Sequence, residues 1–262
     1  MKKVMMSLGM ALTVLTGFKA TTHKVGAAEP VKATKGKKKK NRVRESNNGN
    51  TQVVFGGGLN ANTTNGSDGT ALYNQIDFGG NKVSFEAFSK AYRGYMNLKK
   101  AGKLTGGDII SIADFSLIST AKRLWVIDLA QKKVLFNTQV AHGQGSGGAY
   151  ATAFSNNDNS HQSSIGFYVT KSTYGGKHGS SLKIAGMDKG FNDNAEARSV
   201  VIHPANYCSP TYVAQNNRLG RSWGCPAVSP ELAQPIINTI KGGTMLFIYA
   251  PQAKYSSEWL SA

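Results

Sequence analysis

Apolar residues along this chain fall into three patterns, and each predicts a different element. The first is one continuous run over 4–18, VMMSLGMALTVLTGF, preceded by Lys2 and Lys3. That length suits the core of a secretory signal and is short for a bilayer span. Gly26, Ala27 and Ala28 supply small residues for cleavage before Glu29. An N-terminal membrane anchor is the competing reading of the same run. No cysteine follows the run, so a lipoprotein anchor is excluded.

The second pattern has helical spacing. Phe85, Phe88, Tyr92, Tyr95 and Leu98 recur on one face. Ser84 is placed as the cap, Val83 and Phe88 as a hydrophobic staple, and Gly102 as the stop. The stripe is most simply core packing. A later helix begins at Ser229 as N-cap with Pro230 at its first position and ends near Gly242. Pro235 inside it predicts a kink or two short pieces.

The third pattern is a series of short β-branched and apolar runs. They cover 123–129, 133–140, 166–170, 181–184, 199–203 and 244–249, with Gly- and Asn-rich loops between them. Many short strands with few helices predict a mainly β fold, a sandwich or a barrel. No internal repeat is visible.

Composition then divides the chain. Residues 29–50 are basic, with Lys37 to Lys40 uninterrupted, and 46–70 are rich in Asn, Gly, Ser and Thr. Such segments repel themselves or lack the apolar content to fold. The expected organisation is a signal peptide over 1–28, a disordered tether over 29–80, a helical segment over 81–106 and the main domain over 107–262. At 262 residues the chain is ample for a sizeable core.

The formal charge of +17 invites a nucleic-acid reading. Its location argues against one. Residues 1–50 hold twelve basic and two acidic residues, so most of the excess lies outside the expected fold. No aromatic residue interrupts the basic stretch over 29–50, so a stacking platform for single strands is missing. A solvated spacer and an electrostatic contact with anionic envelope polymers are equally good readings of that run. No membrane span is expected once the signal is removed.

Cys208 and Cys225 are the only thiols. In an exported chain, the default for two cysteines is a disulfide. The surroundings of Cys225 give it another role. It lies in Leu219-Gly220-Arg221-Ser222-Trp223-Gly224-Cys225-Pro226-Ala227. Gly224 allows close backbone approach to a substrate. The N–H groups near Gly224 and Cys225 could hold an oxyanion. Arg221 could favour a thiolate or bind a carboxylate. A thiol nucleophile also needs a base, and His203 ends the apolar run Val200-Val201-Ile202-His203-Pro204.

His203 precedes Cys225 by 22 positions, the reverse of the papain order. Ile202-His203-Pro204, a spacer and Ser222-Trp223-Gly224-Cys225 together resemble the L,D-transpeptidase catalytic-domain family, whose usual core is S/T-H-G-C. The chain departs by placing Trp223 where a second His usually sits, Pro204 after the first His, and Pro226-Ala227 after the Cys. It is most similar to a divergent branch with an S-W-G-C-P-A core. The resemblance covers about 85–250, including Asp114-Phe115-Ser116, Val140-Ala141-His142-Gly143 and Tyr174-Gly175-Gly176-Lys177-His178-Gly179.

The resemblance implies an L,D-transpeptidase-type β-sandwich preceded by a helix, and an exported enzyme of the periplasm or cell envelope. It implies that Cys225 attacks a carbonyl of a peptidoglycan tetrapeptide stem and expels D-alanine. His203 then serves as base, with the Pro204 carbonyl orienting its ring and Ser222 positioning the loop. A stem amine would resolve the thioester into a 3–3 crosslink; water would make the enzyme an L,D-carboxypeptidase. Arg221, His178, Tyr174 and His142 are the expected substrate-lining residues. For each of the two histidines taken alone, a structural hydrogen bond to backbone is the slightly favoured reading. No paired-His zinc spacing appears, so no metal or other cofactor is expected. A remaining alternative is a non-catalytic wall-binding protein with a Cys208–Cys225 disulfide.

Overall fold

The computed structural model describes residues 69–176, 179–252 and 254–261. The expected signal peptide, the tether up to residue 68 and His178 lie outside these residues. Among the described residues, no helix is long and apolar enough to cross a membrane.

The first elements are helices. α1 spans Thr70–Gln75 and α2 spans Phe85–Lys100. Ser84 Oγ accepts the Ala87 N–H at 3.2 Å and caps α2. Val83 and Phe88 are both fully buried, where the staple placed them. At the other end Gly102 takes φ +68°, and the N–H groups of Gly102 and Lys103 bond the Lys99 and Leu98 carbonyls. These paired bonds satisfy the last carbonyls of the helix. The stripe of Phe88, Tyr95 and Leu98 is core.

The tether was expected to run to residue 80, and the described structure overturns its last part. Residues 70–75 are helical, Ile76 and Phe78 are buried, and Asp77 bridges to Lys133. Tyr73 explains the order: its ring lies 4.9 to 5.3 Å from those of Phe78, Phe85 and Phe88. Three apolar anchors outweigh a polar local composition.

The fold is mainly β with few short helices. The strands are β1 Ile109–Asp114, β2 Leu124–Asp128, β3 Lys133–Thr138, β4 Gly166–Gly176, β5 Gly179–Gly186, β6 Val201–Pro204, β7 Ala227–Val228 and β8 Met245–Tyr249. They join edge to edge in the order β3-β2-β1-β8-β4-β5-β6-β7. β1 pairs parallel with β8 and β6 parallel with β7; the other pairs are antiparallel. β1 was not anticipated because it is buried on both faces and shows no alternation.

Alternating strand residues feed two cores. Ile110, Ile112, Trp125, Ile127, Phe167 and Phe247 pack with α2. Ala113, Val126, Tyr168, Ile184, Leu246 and Ile248 pack with α4, which spans Pro230–Ile240 and follows the short α3, Pro210–Asn216. Gly94 lets α2 approach β4, since a Cβ there would meet the Phe167 ring at 2.1 Å. The expected break at Pro235 does not occur: α4 runs through it as one helix. Its buried face of Ala233, Ile236, Ile237 and Ile240 lies on both sides of the proline, and that packing offsets one lost hydrogen bond.

Candidate active site

The sheet register assembles the site. β6 and β7 run parallel with His203 beside Ala227, two residues after Cys225. The His203 N–H also donates to the Pro226 carbonyl at 3.3 Å. Cys225 and His203 therefore line one cleft, of about 520 Å³. Its other walls include Tyr174, Arg198, Ser199, Tyr207, Arg221, Ser222 and Trp223.

His203 is largely buried. Its Nδ1 lies 2.9 Å from the Pro204 carbonyl oxygen. A carbonyl only accepts, so Nδ1 carries the hydrogen in that contact. In the neutral ring, Nε2 is then the acceptor.

The Cys225 thiol receives the Val201 N–H at 3.5 Å and lies 3.9 Å from the Ser199 carbonyl. Burial pushes its pKa up; the Val201 N–H and the Arg198 charge act the other way and are weaker. Burial thus favours the neutral thiol over the thiolate.

The loop before the thiol is tied by one hydroxyl. Ser222 Oγ donates to the Cys225 carbonyl at 2.6 Å and accepts the Gly224 N–H at 3.1 Å. The Gly224 N–H is thus committed, contrary to its expected place in an oxyanion hole. Among the described residues, the Cys225 N–H donates to no protein acceptor. Ser163 Oγ donates to the Gly224 carbonyl at 3.0 Å. Gly224 takes φ +122°, and a Cβ there would meet the Gln162 carbonyl at 2.8 Å.

The remaining expected residues are placed as follows. Tyr174 and Arg221 line the cleft. Arg221 donates to the Gly147 carbonyl at 2.9 Å, which ties the 144–147 turn to the cleft. Trp223 is 72% exposed and stacks on His161 at 4.8 Å and 10°. His142 does not line the cleft: it is fully buried. Its Nδ1 accepts from Arg123 at 2.7 Å, its Nε2 has no hydrogen-bond partner among the described residues, and its carbonyl holds the Ser222 N–H at 3.0 Å. Burial, then the Arg123 charge, depresses the His142 pKa to about 4.

Cys208 and Cys225 are both free thiols, which overturns the disulfide and the structural role built on it. Cys208 is buried, and its Sγ donates to the Ala227 carbonyl at 3.4 Å.

Arg198, Ser199 and Tyr207 line the site without any signal in the sequence. Arg198 sits in a polar turn and donates to the Ser155 and Gln162 carbonyls at 2.9 and 2.8 Å. Only the fold places it near Cys225.

The family model for the L,D-transpeptidase catalytic domain matches residues 80–249. The chain belongs to the L,D-transpeptidase catalytic-domain family. Cys225 and His203 both fall within the matched region of this L,D-transpeptidase domain. No curated protein matches the chain. Solved structures similar to it include an L,D-transpeptidase from Mycobacterium smegmatis, at 14% identity, 55% of this chain, 60% of that one and a TM-score of 0.34. Another is an L,D-transpeptidase from Stackebrandtia nassauensis, at 13% identity, 63% of this chain, 68% of that one and a TM-score of 0.33. A third is the helical cell shape determining protein Pgp2 from Campylobacter jejuni, at 12% identity, 64% of this chain, 59% of that one and a TM-score of 0.38. The L,D-transpeptidase domain here thus spans about 60% of the first of these neighbours.

Proposed function

We propose that the protein is an exported cysteine acyltransferase of peptidoglycan, forming 3–3 crosslinks between stem peptides with release of D-alanine. The observation that carries this reading is the shared cleft of Cys225 and His203, with the His203 Nδ1 facing the Pro204 carbonyl. That contact supports Nε2 as the proton acceptor.

Burial favours the neutral Cys225 thiol, and in this reading its proton leaves as attack proceeds. Nε2 takes the proton while Sγ bonds to the stem carbonyl carbon. The C–N bond to D-alanine then breaks, and the same proton goes to the departing amine. In this reading the Cys225 N–H meets the oxyanion, and the Ser222 hydroxyl, which accepts the Gly224 N–H, steadies the loop. Trp223 cannot carry a proton between these groups, so His203 serves both steps.

A stem amine resolves the thioester into the crosslink. Water in its place makes the protein an L,D-carboxypeptidase, the second reading of the same acyl-enzyme. The basic run over 29–50 is proposed to hold the enzyme near anionic envelope polymers by surface charge.

Intact-mass analysis tests the reading. A carbapenem or a tetrapeptide stem should leave one acyl adduct on the wild-type protein and none on Cys225→Ala. His203→Ala should slow adduct formation by about 10²–10⁴-fold. An adduct on the Cys225→Ala protein, or none on wild type, would overturn it.

A further inference from the structure

Three successive peptide groups carry the nucleophile, and two hydroxyls hold them. Ser222 Oγ accepts the N–H of the Trp223–Gly224 group and donates to the carbonyl of the Cys225–Pro226 group. The group between them, Gly224–Cys225, has a different partner. Its carbonyl accepts from Ser163 Oγ at 3.0 Å. Its N–H is that of Cys225, which donates to no protein acceptor among the described residues.

Ser163 lies just before β4 and is fully buried. The Gly143 N–H donates to the same Oγ at 3.0 Å. A main-chain N–H only donates, so the hydroxyl accepts there and its single hydrogen goes to Gly224. The relay runs one way, from the Gly143 N–H through the Ser163 hydroxyl to the Gly224 carbonyl. Each bond in such a chain polarises the next. The last member is a peptide group, whose carbonyl and N–H share one resonance system. Electron density drawn onto the Gly224 oxygen makes the Cys225 N–H a stronger donor.

The relay also sets a direction. The described residues contain no cis peptide bond, so the Cys225 N–H points opposite to the Gly224 carbonyl. Anchoring that carbonyl on buried Ser163 turns the N–H away from the buried side. An anchor is needed because the residue leading into this peptide plane is a glycine at φ +122°, whose own torsions restrain the plane little.

Ser163 is itself held. Its main-chain N–H donates to Oγ of Ser146, also fully buried, at 2.9 Å. The carbonyl before it, that of Gln162, accepts from Arg198 at 2.8 Å. Gly143 permits the close approach: a Cβ there would meet the Gly224 Cα at 2.8 Å. The 143–146 turn, the 161–163 segment and the nucleophile loop therefore meet around one hydroxyl.

We propose that Ser163 is a positioning residue for acyl transfer, which aims and polarises the Cys225 N–H that meets the oxyanion. The inference rests on the acyl-transfer reading above and adds to it a residue that acts only through Gly224. As Sγ bonds to the stem carbonyl carbon, the π pair of the carbonyl moves onto its oxygen, and the Cys225 N–H bonds that oxygen. The pair returns when the C–N bond to the departing amine breaks. Alkylation of the same thiol forms no oxyanion: Sγ bonds to a saturated carbon and iodide leaves with its electron pair. Two reactions at one sulfur thus separate oxyanion positioning from simple support of the loop.

The test uses the freshly reduced full chain, a carbapenem as acyl donor and iodoacetamide as alkylating agent, at one pH. Intact mass follows acylation, and peptide mapping assigns each alkylated cysteine. No acyl adduct on wild type defeats the acyl-transfer reading before any variant is made. Cys208 is buried, so its labelling reports unfolding, and rates are compared in protein whose Cys208 stays unlabelled. There Ser163→Ala should acylate about 10–100-fold more slowly at saturating carbapenem, while Cys225 alkylation stays within about twofold of wild type. The loss is smaller than the roughly 10²–10³ for deleting an oxyanion donor, because the N–H remains and only its aim is lost. Ser163→Thr keeps the hydroxyl and should restore the ratio of the two rates to within about threefold of wild type. If Ser163→Ala exposes Cys208, Ser163→Cys, of similar size with a weaker donor, takes its place, and the same ratio should fall. Unchanged acylation in the variant, both rates falling together, or Ser163→Thr no better than Ser163→Ala would each overturn the role of Ser163 while leaving Cys225 acylation standing.

Discussion

The main-chain N–H of Val201 donates to Sγ of Cys225 across 3.5 Å, so the thiol is held by the same strand that carries His203. The proposed nucleophile and base thus share one support, the strand β6, with the Ser222 hydroxyl holding the loop that carries the thiol. The same contact frames what the thiol should do in solution.

Burial raises the Cys225 pKa above its ordinary value of 9.0, against smaller opposing effects from Val201 and Arg198. Alkylation requires the thiolate. Its rate with iodoacetamide should therefore still be climbing at pH 9 in the free enzyme. A plateau at or below pH 7 would mean a preformed thiolate–imidazolium pair.

Ser222 joins two main-chain groups of the nucleophile loop through one hydroxyl. Ser222→Ala leaves the Gly224 N–H and the Cys225 carbonyl without that partner. We expect a stability loss of about 1–3 kcal/mol, read by urea unfolding. Acylation should fall in the folded protein as well, because the Cys225 N–H loses its fixed direction. Unchanged acylation would separate the hydroxyl from catalysis.

Gly224→Ala places a Cβ 2.8 Å from the Gln162 carbonyl at φ +122°. The backbone must shift, at a cost of about 1–3 kcal/mol. The variant should have a lower Tm and little acylation. A Tm equal to wild type would show that this turn relaxes freely.

His142 is buried neutral, with its pKa depressed from 6.5 to about 4. The unfolded chain binds this proton first as pH falls. Stability is therefore complete above pH 6.5 and declines from there toward pH 4, by up to roughly 3 kcal/mol from this group. His142→Gln should start less stable at pH 7 and lose less between pH 7 and 4.5. Parallel pH profiles for the two proteins would contradict the depressed value.

Much of the architecture was legible from pattern alone. Ser84, Phe88 and Gly102 announced α2, and β-branched runs located β2 to β6 and β8. β1 escaped because a strand buried on both faces has no alternation, and residues 70–78 escaped because two or three aromatic anchors are diluted by polar neighbours. At the site, the spacing of His203 and Cys225 was visible. Arg198 and Ser199 were not, since a turn far from any motif brings them to the thiol only through the fold. His142 misled for a related reason: a glycine after it suggests an open loop, while Arg123 and Phe115 enclose it.

The central claim is that Cys225 transfers a stem-peptide acyl group. Muropeptide analysis after incubating purified protein with peptidoglycan, under reducing conditions, tests it most directly. Wild type should release D-alanine and yield 3–3 dimers, or trimmed stems if water resolves the thioester, and Cys225→Ala should yield neither. Wild type giving neither product, or the Cys225→Ala protein giving either, would contradict the account.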